Sequence, residues 1–183
     1  MSEVLTPQRT FFFATPNGVQ LEANEMPSLP YGYCFSTAAL AYAPETARLL
    51  HDHYPSTSSD STLTASVWKN DSRYYWNHGY ELIDVGVETT DSQLVGFGRA
   101  VIKNDNGEFC DFVVHSEHRR RGIGTAIILA RFRLARKAGV RALWIPELDE
   151  TNTRLHVYKS LGFKECEDKS LEFNPEHIPI YQY

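Results

Sequence analysis

The sequence predicts an α/β domain of the α+β type, with a mixed, mostly antiparallel central sheet, one parallel strand pair and flanking helices. Three β-type runs, Glu81 to Val87, Leu94 to Ile102 and Glu108 to Val114, are separated only by short polar turns, the second being Asn104-Asp105-Asn106-Gly107. That is the pattern of an antiparallel meander. A long amphipathic stretch follows from Gly122 to Ala138. Behind it stands Ala142-Leu143-Trp144-Ile145, a short run of the buried type. Strand, helix and strand in this order imply a right-handed crossover that closes on a parallel pair.

Thr10 to Ala14 and Val19 to Glu22, on either side of Pro16-Asn17-Gly18, predict a β-hairpin at about 9–24. It reads as an addition to the core fold, and its three phenylalanines need cover from the domain or from a second copy of the chain, so a homodimer is one expectation. Tyr31 to Thr37 suits a strand. Pro44 to His53 suits a helix that opens with proline and carries Glu45 in its first turn. Pro55 to Thr64, rich in serine and threonine, reads as loop, and Trp68, Tyr74, Tyr75 and Trp76 then crowd a short segment. Those rings suit either the core or the wall of a ligand pocket.

On the long helix, Ile123, Ile127, Ala130, Leu134 and Ala138 share a face, Arg131, Arg133, Arg136 and Lys137 gather towards its negative end, and Gly139 is the stop. A second helix spans about Thr151 to Leu161 and ends at Gly162, where Phe163 can fold back on Val157 and Tyr158 in a Schellman stop. A last strand begins at Phe163. The tail from Leu171 to Tyr183, broken by Pro175 and Pro179, defines no element.

With 183 residues, the chain is expected to form one domain over 1–183 that needs neither disulfide nor metal to support its core. No apolar run is long enough to span a bilayer, and the N-terminus lacks the basic and apolar regions of a signal peptide, so a cytoplasmic protein without a membrane partner is expected. Cys34, Cys110 and Cys166 are far apart and lack ligand spacing, which predicts free thiols and no metal site. A net charge of −5 argues against a nucleic-acid partner, because the one basic cluster is a single turn.

That turn is the chemical centre of the sequence. Arg119, Arg120 and Arg121 lead into Gly122, Ile123, Gly124 and Thr125 where a strand gives way to a helix. A helix start offers unpaired N–H donors and a positive dipole end, glycine lets a phosphate approach the backbone, and arginine supplies charge. The combination makes a diphosphate cradle. No lysine follows Gly124, which disfavours a P-loop, and the third glycine of a dinucleotide fingerprint is missing.

The pattern Arg119-x-x-Gly122-x-Gly124, preceded by Val114-His115-Ser116-Glu117-His118 and followed by Asn152 and by Tyr158-Lys159-Ser160-Leu161-Gly162-Phe163, resembles the signature of the GNAT N-acetyltransferase superfamily. The resemblance covers about Leu94 to Phe163. It implies a single GNAT-like domain whose parallel strand pair is splayed, with acetyl-CoA as the acyl-donor cosubstrate and its pyrophosphate on the loop. By position it assigns Phe112, Val113 and Val114 to the pantetheine arm, the Val114 N–H to the thioester oxygen, and Asn152 to the coenzyme.

Acetyl transfer to an amine needs a held thioester, a stabilised oxyanion, a neutral amine and a proton for the departing thiolate. Tyr158 is the candidate acid, since a phenol with a reference pKa of about 10 remains protonated at neutral pH and matches a leaving thiol. Asp111 is the candidate base, with Glu81, Asp84 and His115 as competitors; strand alternation would put it on the face opposite Phe112 and Val114. The implied function is transfer of acetyl to a primary amine of a small molecule by direct attack. A protein or peptide lysine acetyltransferase and a non-catalytic acyl-CoA-binding sensor module are the alternatives. Trp68, Tyr74, Tyr75 and Trp76 are the candidate acceptor contacts.

Overall fold

The computed structural model describes residues 21–22, 24–36, 44–53, 72–145, 154–165 and 171–173. Its elements are β1 (Tyr33–Phe35), α1 (Pro44–His53), α2 (residues 72–77), β2 (Glu81–Thr89), β3 (Leu94–Lys103) and β4 (Asn106–Val114). They continue with α3 (Ile123–Lys137), β5 (Ala142–Ile145), α4 (Leu155–Ser160), β6 (Lys164–Glu165) and β7 (Leu171–Phe173). Among the described residues, seven strands form one sheet in the order β1-β2-β3-β4-β5-β7-β6, and only β4 and β5 run parallel. The expected mixed, mostly antiparallel sheet with one parallel pair is therefore present, and β7 adds an element within the tail where the sequence defined none.

The meander keeps close register. Asn104 supplies the left-handed residue of the turn between β3 and β4, at φ 59°, a conformation that asparagine tolerates. Strand β4 begins at Asn106, so the turn is shorter than the four-residue sequence reading. Most of the predicted hairpin lies outside the described residues; Leu21 and Glu22 are in no strand, and Leu21 is buried in the core.

Helix α3 covers one face of the sheet. Ile123, Ile127, Ile128 and Leu134 are fully buried there against Ile83, Val85, Val87 and Val95, each contributing about 1.5–3 kcal/mol by leaving water. Two glycines on β3 set how closely the helix approaches. A Cβ at Gly96 would stand 2.8 Å from Ile127 Cδ1, and one at Gly98 would stand 2.7 Å from Ile127 Cγ2. On the other face α1 packs Ala47, Leu49 and Leu50 against Leu94, Phe97 and Val113. With both faces covered, residues 82–87 of β2 are buried without a break.

Helices α3 and α4 stop in the same way. In α3 the Gly139 N–H donates to Arg136 O and the Val140 N–H to Ala135 O, with Gly139 at φ 88°. In α4 the Gly162 N–H donates to Lys159 O and the Phe163 N–H to Tyr158 O, with Gly162 at φ 94°. Both are Schellman motifs. The Phe163 ring folds back so that its centroid lies 5.6 Å from that of Tyr158, the contact that the sequence allowed for. Among the described residues, no helix is long and apolar enough to cross a membrane.

Candidate functional site

Strand β4 carries the first feature of the site. Gly98 pairs with Phe112 and Arg99 with Cys110, so Asp111 is the extra residue of a β-bulge, at φ 37°. This corrects the simple alternation read from the sequence. Phe109, Phe112 and Val114 all belong to the α3 side, while Val113 packs with α1. The bulge resets the parity of the strand, and Asp111 is half-buried within it.

Beyond the bulge, β4 presents an open edge. Its pairing with β5 spans only Asn106–Ala142, Gly107–Leu143 and Glu108–Trp144, and among the described residues no strand pairs with 109–114 on that side. The His115 N–H donates to Val95 O at 2.8 Å. Gly96 and Val114 are therefore a non-hydrogen-bonded antiparallel pair, which turns the Val114 N–H away from β3 towards the open edge. Two residues back, the Phe112 N–H points the same way. A pantetheine arm pairs through such backbone donors, so this edge fits the coenzyme that the resemblance implies.

The loop after β4 follows directly. A 3₁₀ turn at Ser116–His118 leads to Arg119, Arg120 and Arg121, all exposed. Arg119 Nε donates to Val114 O at 2.9 Å, and Arg121 Nη2 to Glu117 O at 3.2 Å. Gly122 is the N-cap of α3 at φ 88°, with no side-chain cap and no acidic residue in the first turn. The first helical bond runs from the Ala126 N–H to Gly122 O, so the N–H groups of Ile123, Gly124 and Thr125 lack intrahelical acceptors. Donors without a cap, beside exposed guanidinium groups, fit a diphosphate.

Two of the loop residues have a different reason for being what they are. The Ile123 side chain is core, 1% exposed, so only its backbone can meet a ligand. A Cβ at Gly124 would meet Phe112 Cζ at 3.2 Å, so this glycine makes room for a ring on β4, whereas nothing lies within 4 Å of a Cβ at Gly122. Thr125 is exposed at the start of the helix. Asn152 lies outside the described residues.

Tyr158 is buried on α4, with its ring against Phe109 and Phe163. Its hydroxyl accepts from Arg131 Nη2 at 3.4 Å. Arg131, which the sequence grouped with Arg133, Arg136 and Lys137 towards the negative end of the helix, is set apart from them by being 1% exposed. Its Nη1 donates to Arg99 O and Cys110 O, beside the bulge.

Among the candidate bases, Asp84 is already engaged. Arg99 donates to both of its oxygens at 2.7 and 2.8 Å in a buried ion pair, and Arg99 Nη1 also reaches Ser72 Oγ. Glu81 is exposed at the start of β2. Glu108, not singled out from the sequence, stands near Asp111; burial, and then the Asp111 charge, raise its pKa above the ordinary glutamate value. A glutamate predicted only to begin a strand gave no sign of this. Burial, and then Asp111, also push the Cys110 thiol well up, which makes a poor nucleophile of it.

Tyr74, Tyr75 and Trp76 sit on α2, which Ser72 ties to Arg99. Tyr74 is 56% and Trp76 38% exposed, so these two do not fill the core. Trp68 lies outside the described residues. Between α1 and the end of β4 a shallow cleft is lined by Leu49, Asp52, Val113, Val114, His115 and Arg119, among others. One group among the described residues has metal-ligating types together: His115, Glu117 and His118, with ligand atoms within 4.8 Å of one another. Burial, then His115 and Arg121, hold the His118 pKa down, and Tyr33 Oη lies 2.9 Å from its Nδ1. Three arginines in the same turn make that surroundings hostile to a cation.

An open strand edge that runs into a basic, glycine-bearing helix start, on a mixed α/β sheet, presents the donors that an acyl-coenzyme A would need. Residues 44–163, well over half of the chain, match the model of the Acetyltransferase (GNAT) family. The chain belongs to that family. No curated protein sequence matches it significantly.

Solved structures share the fold at low identity. A tandem GNAT protein from the clavulanic acid biosynthesis pathway is 21% identical at a TM-score of 0.63 over 82% of this chain. The chain spans 47% of that protein's length. An aminoglycoside 6′-N-acetyltransferase complexed with coenzyme A is 19% identical, TM-score 0.52, over 70% of this chain and 86% of its own. The PaiA N-acetyltransferase of Thermoplasma acidophilum, also with coenzyme A, is 14% identical, TM-score 0.50, over 76% and 96%.

Proposed function

We propose that this chain is an acetyl-CoA-dependent N-acetyltransferase that acetylates a primary amine of a small molecule by direct attack, with no covalent enzyme intermediate. The observation that carries the reading is the continuity of the site: the outward Val114 N–H, the arginine turn and the uncapped start of α3 follow one another along a single stretch of chain. Bound acetyl-CoA would supply a thioester; as the amine attacks, the C–N bond forms, the C–S bond breaks, the sulfur gains a proton and the nitrogen loses one.

The chain's own residues account for the rest. The backbone of Gly122 to Thr125 with Arg120 and Arg121 would hold the diphosphate, and the Phe112 and Val114 N–H groups would hold the pantetheine and thioester oxygens. Tyr158 would give its phenol proton to the sulfur. The Asp111–Glu108 pair would take the proton from nitrogen, directly or through water. Glu108 has the raised proton affinity that suits a base working near neutral pH. Cys110, with its thiol pushed up, supports attack by the amine itself.

A thiol-release screen with acetyl-CoA against amino acids, polyamines, aminoglycosides, aromatic amines and lysine peptides tests the reading. Turnover is expected with a class of small amine, and Tyr158→Phe should lower kcat by about 10- to 10³-fold at little cost in coenzyme affinity. Release with lysine peptides alone would replace the small acceptor by a protein. Coenzyme binding without release by any amine would leave a sensor module.

A further inference from the structure

Arg131 is a charge that the fold alone does not explain. It is 1% exposed and forms no ion pair with a carboxylate among the described residues. Burial pushes its pKa below the ordinary arginine value. Its Nη1 donates to the carbonyls of Arg99 at 2.8 Å and Cys110 at 3.2 Å, its Nη2 to the Tyr158 hydroxyl at 3.4 Å, and its Nε has no partner. The rings of Phe109 and Phe112 lie 4.5 and 5.2 Å from Cζ. An apolar side chain of like volume would fill the space without the cost of burying a cation and orphaning a donor. The two backbone carbonyls account for Nη1 alone, and Nη2 is directed at the phenol oxygen.

We propose that Arg131 is a positioning residue for Tyr158: it fixes the direction of the phenol O–H and holds the phenolate once the proton has left. This rests on the acid role proposed above. A guanidinium only donates, so in the contact with Nη2 the phenol oxygen accepts, and its own hydrogen has to turn away from Arg131. When the O–H bond breaks, the proton joins the departing thiolate and the electron pair stays on the phenol oxygen. That oxygen then faces a guanidinium instead of apolar rings until solvent returns a proton. In a buried site, a fixed opposite charge at this spot is worth far more than in water. The bonds to Arg99 O and Cys110 O fix the guanidinium in place for that contact.

The test is a double-mutant cycle on the full chain with Arg131→Met, Tyr158→Phe and both together. It is read by thiol release from acetyl-CoA, by calorimetric titration with CoA, and by urea unfolding of the free protein. Tyramine serves as acceptor where it is turned over, and water where it is not. Arg131→Met should lower kcat by about 10- to 100-fold with CoA affinity within about twofold, and cost nothing further once Tyr158 is phenylalanine. The unfolding free energies should be non-additive too, since the contact exists without coenzyme.

An equal fractional loss of kcat in both backgrounds, or coupling in unfolding alone, makes Arg131 merely structural and overturns the proposal. Tyr158→Phe at the wild-type rate overturns the acid role itself, which is a separate failure. Should Arg131→Met not fold, Arg131→Lys takes its place. It keeps the charge but loses the fork, so a partial kcat loss that vanishes in Tyr158→Phe is expected, and an undiminished loss there is fatal.

Discussion

At the scale of single residues, four non-glycine residues among those described, Ser92, Asn104, Asp111 and Arg120, occupy backbone conformations that glycine prefers. Arg120 sits at φ 57° in the turn before α3. The left-handed region costs a non-glycine residue about 1–2 kcal/mol, and glycine gives back about 0.5–1 kcal/mol through its freer unfolded chain. Arg120→Gly should therefore stabilise the free protein by up to about 1 kcal/mol in urea unfolding, while weakening acetyl-CoA binding through the lost cation. A less stable variant would show that the arginine makes contacts that outweigh its strain.

The carboxylates give a second test at this scale. Because burial and Asp111 raise the Glu108 pKa, the basic form arrives at higher pH than for an ordinary glutamate. Once the amine's own ionisation is divided out, the acid limb of kcat/KM should lie above the usual carboxylate range, as an apparent value that belongs to the pair. Asp111→Asn removes one of the two causes and should move the limb to lower pH. Glu108→Gln should abolish it. A limb that stays put in both variants would take the pair out of the proton path.

At the scale of elements, the packing of α3 on β3 separates two kinds of glycine. At Gly98 a Cβ would stand 2.7 Å from Ile127 Cγ2 and 2.9 Å from Arg131 Nε, so Gly98→Ala should cost about 1–3 kcal/mol by overpacking. At Gly122, with open space around it and φ 88°, alanine should cost only the backbone strain, about 1–2 kcal/mol. The sequence distinguished neither. It did place the meander, α3, β5 and the Schellman stop at Gly162, because each rests on local periodicity or a terminating residue. The bulge at Asp111 was hidden, since an extra residue shows only in the register between two strands. Arg131 was hidden for a related reason: its position among other basic residues suggested only a charge towards the negative end of the helix, while the tertiary fold supplies the carbonyls and phenol that accept from it. Glu108 acquires its character only from the neighbour that the bulge brings near.

At the scale of the whole molecule, the proposed function puts coenzyme and acceptor recognition on different parts of the sheet. The open edge lies on β4 and the loop follows it, while Tyr74 and Trp76 stand exposed on α2, which Ser72 ties to Arg99 of β3. Exposed rings can be truncated without opening a cavity. Trp76→Ala and Tyr74→Ala should leave the melting temperature within a few degrees, raise the acceptor KM and spare that for acetyl-CoA. Unaltered acceptor kinetics in these stable variants would remove α2 from the acceptor site.

The central claim is that acetyl-CoA lies with its diphosphate on the turn between β4 and α3, and calorimetric titration of acetyl-CoA into wild type and Arg121→Glu tests it most directly. Arg121 is exposed, and its hydrogen bond is to a backbone carbonyl of the same turn, so reversing its charge leaves the core untouched. The account predicts saturable binding to the wild type and a loss of affinity of about tenfold or more in the variant, from exchanging a favourable charge contact for a repulsive one, with unchanged thermal stability. Equal affinity in the two folded proteins, or no binding to the wild type, would contradict it.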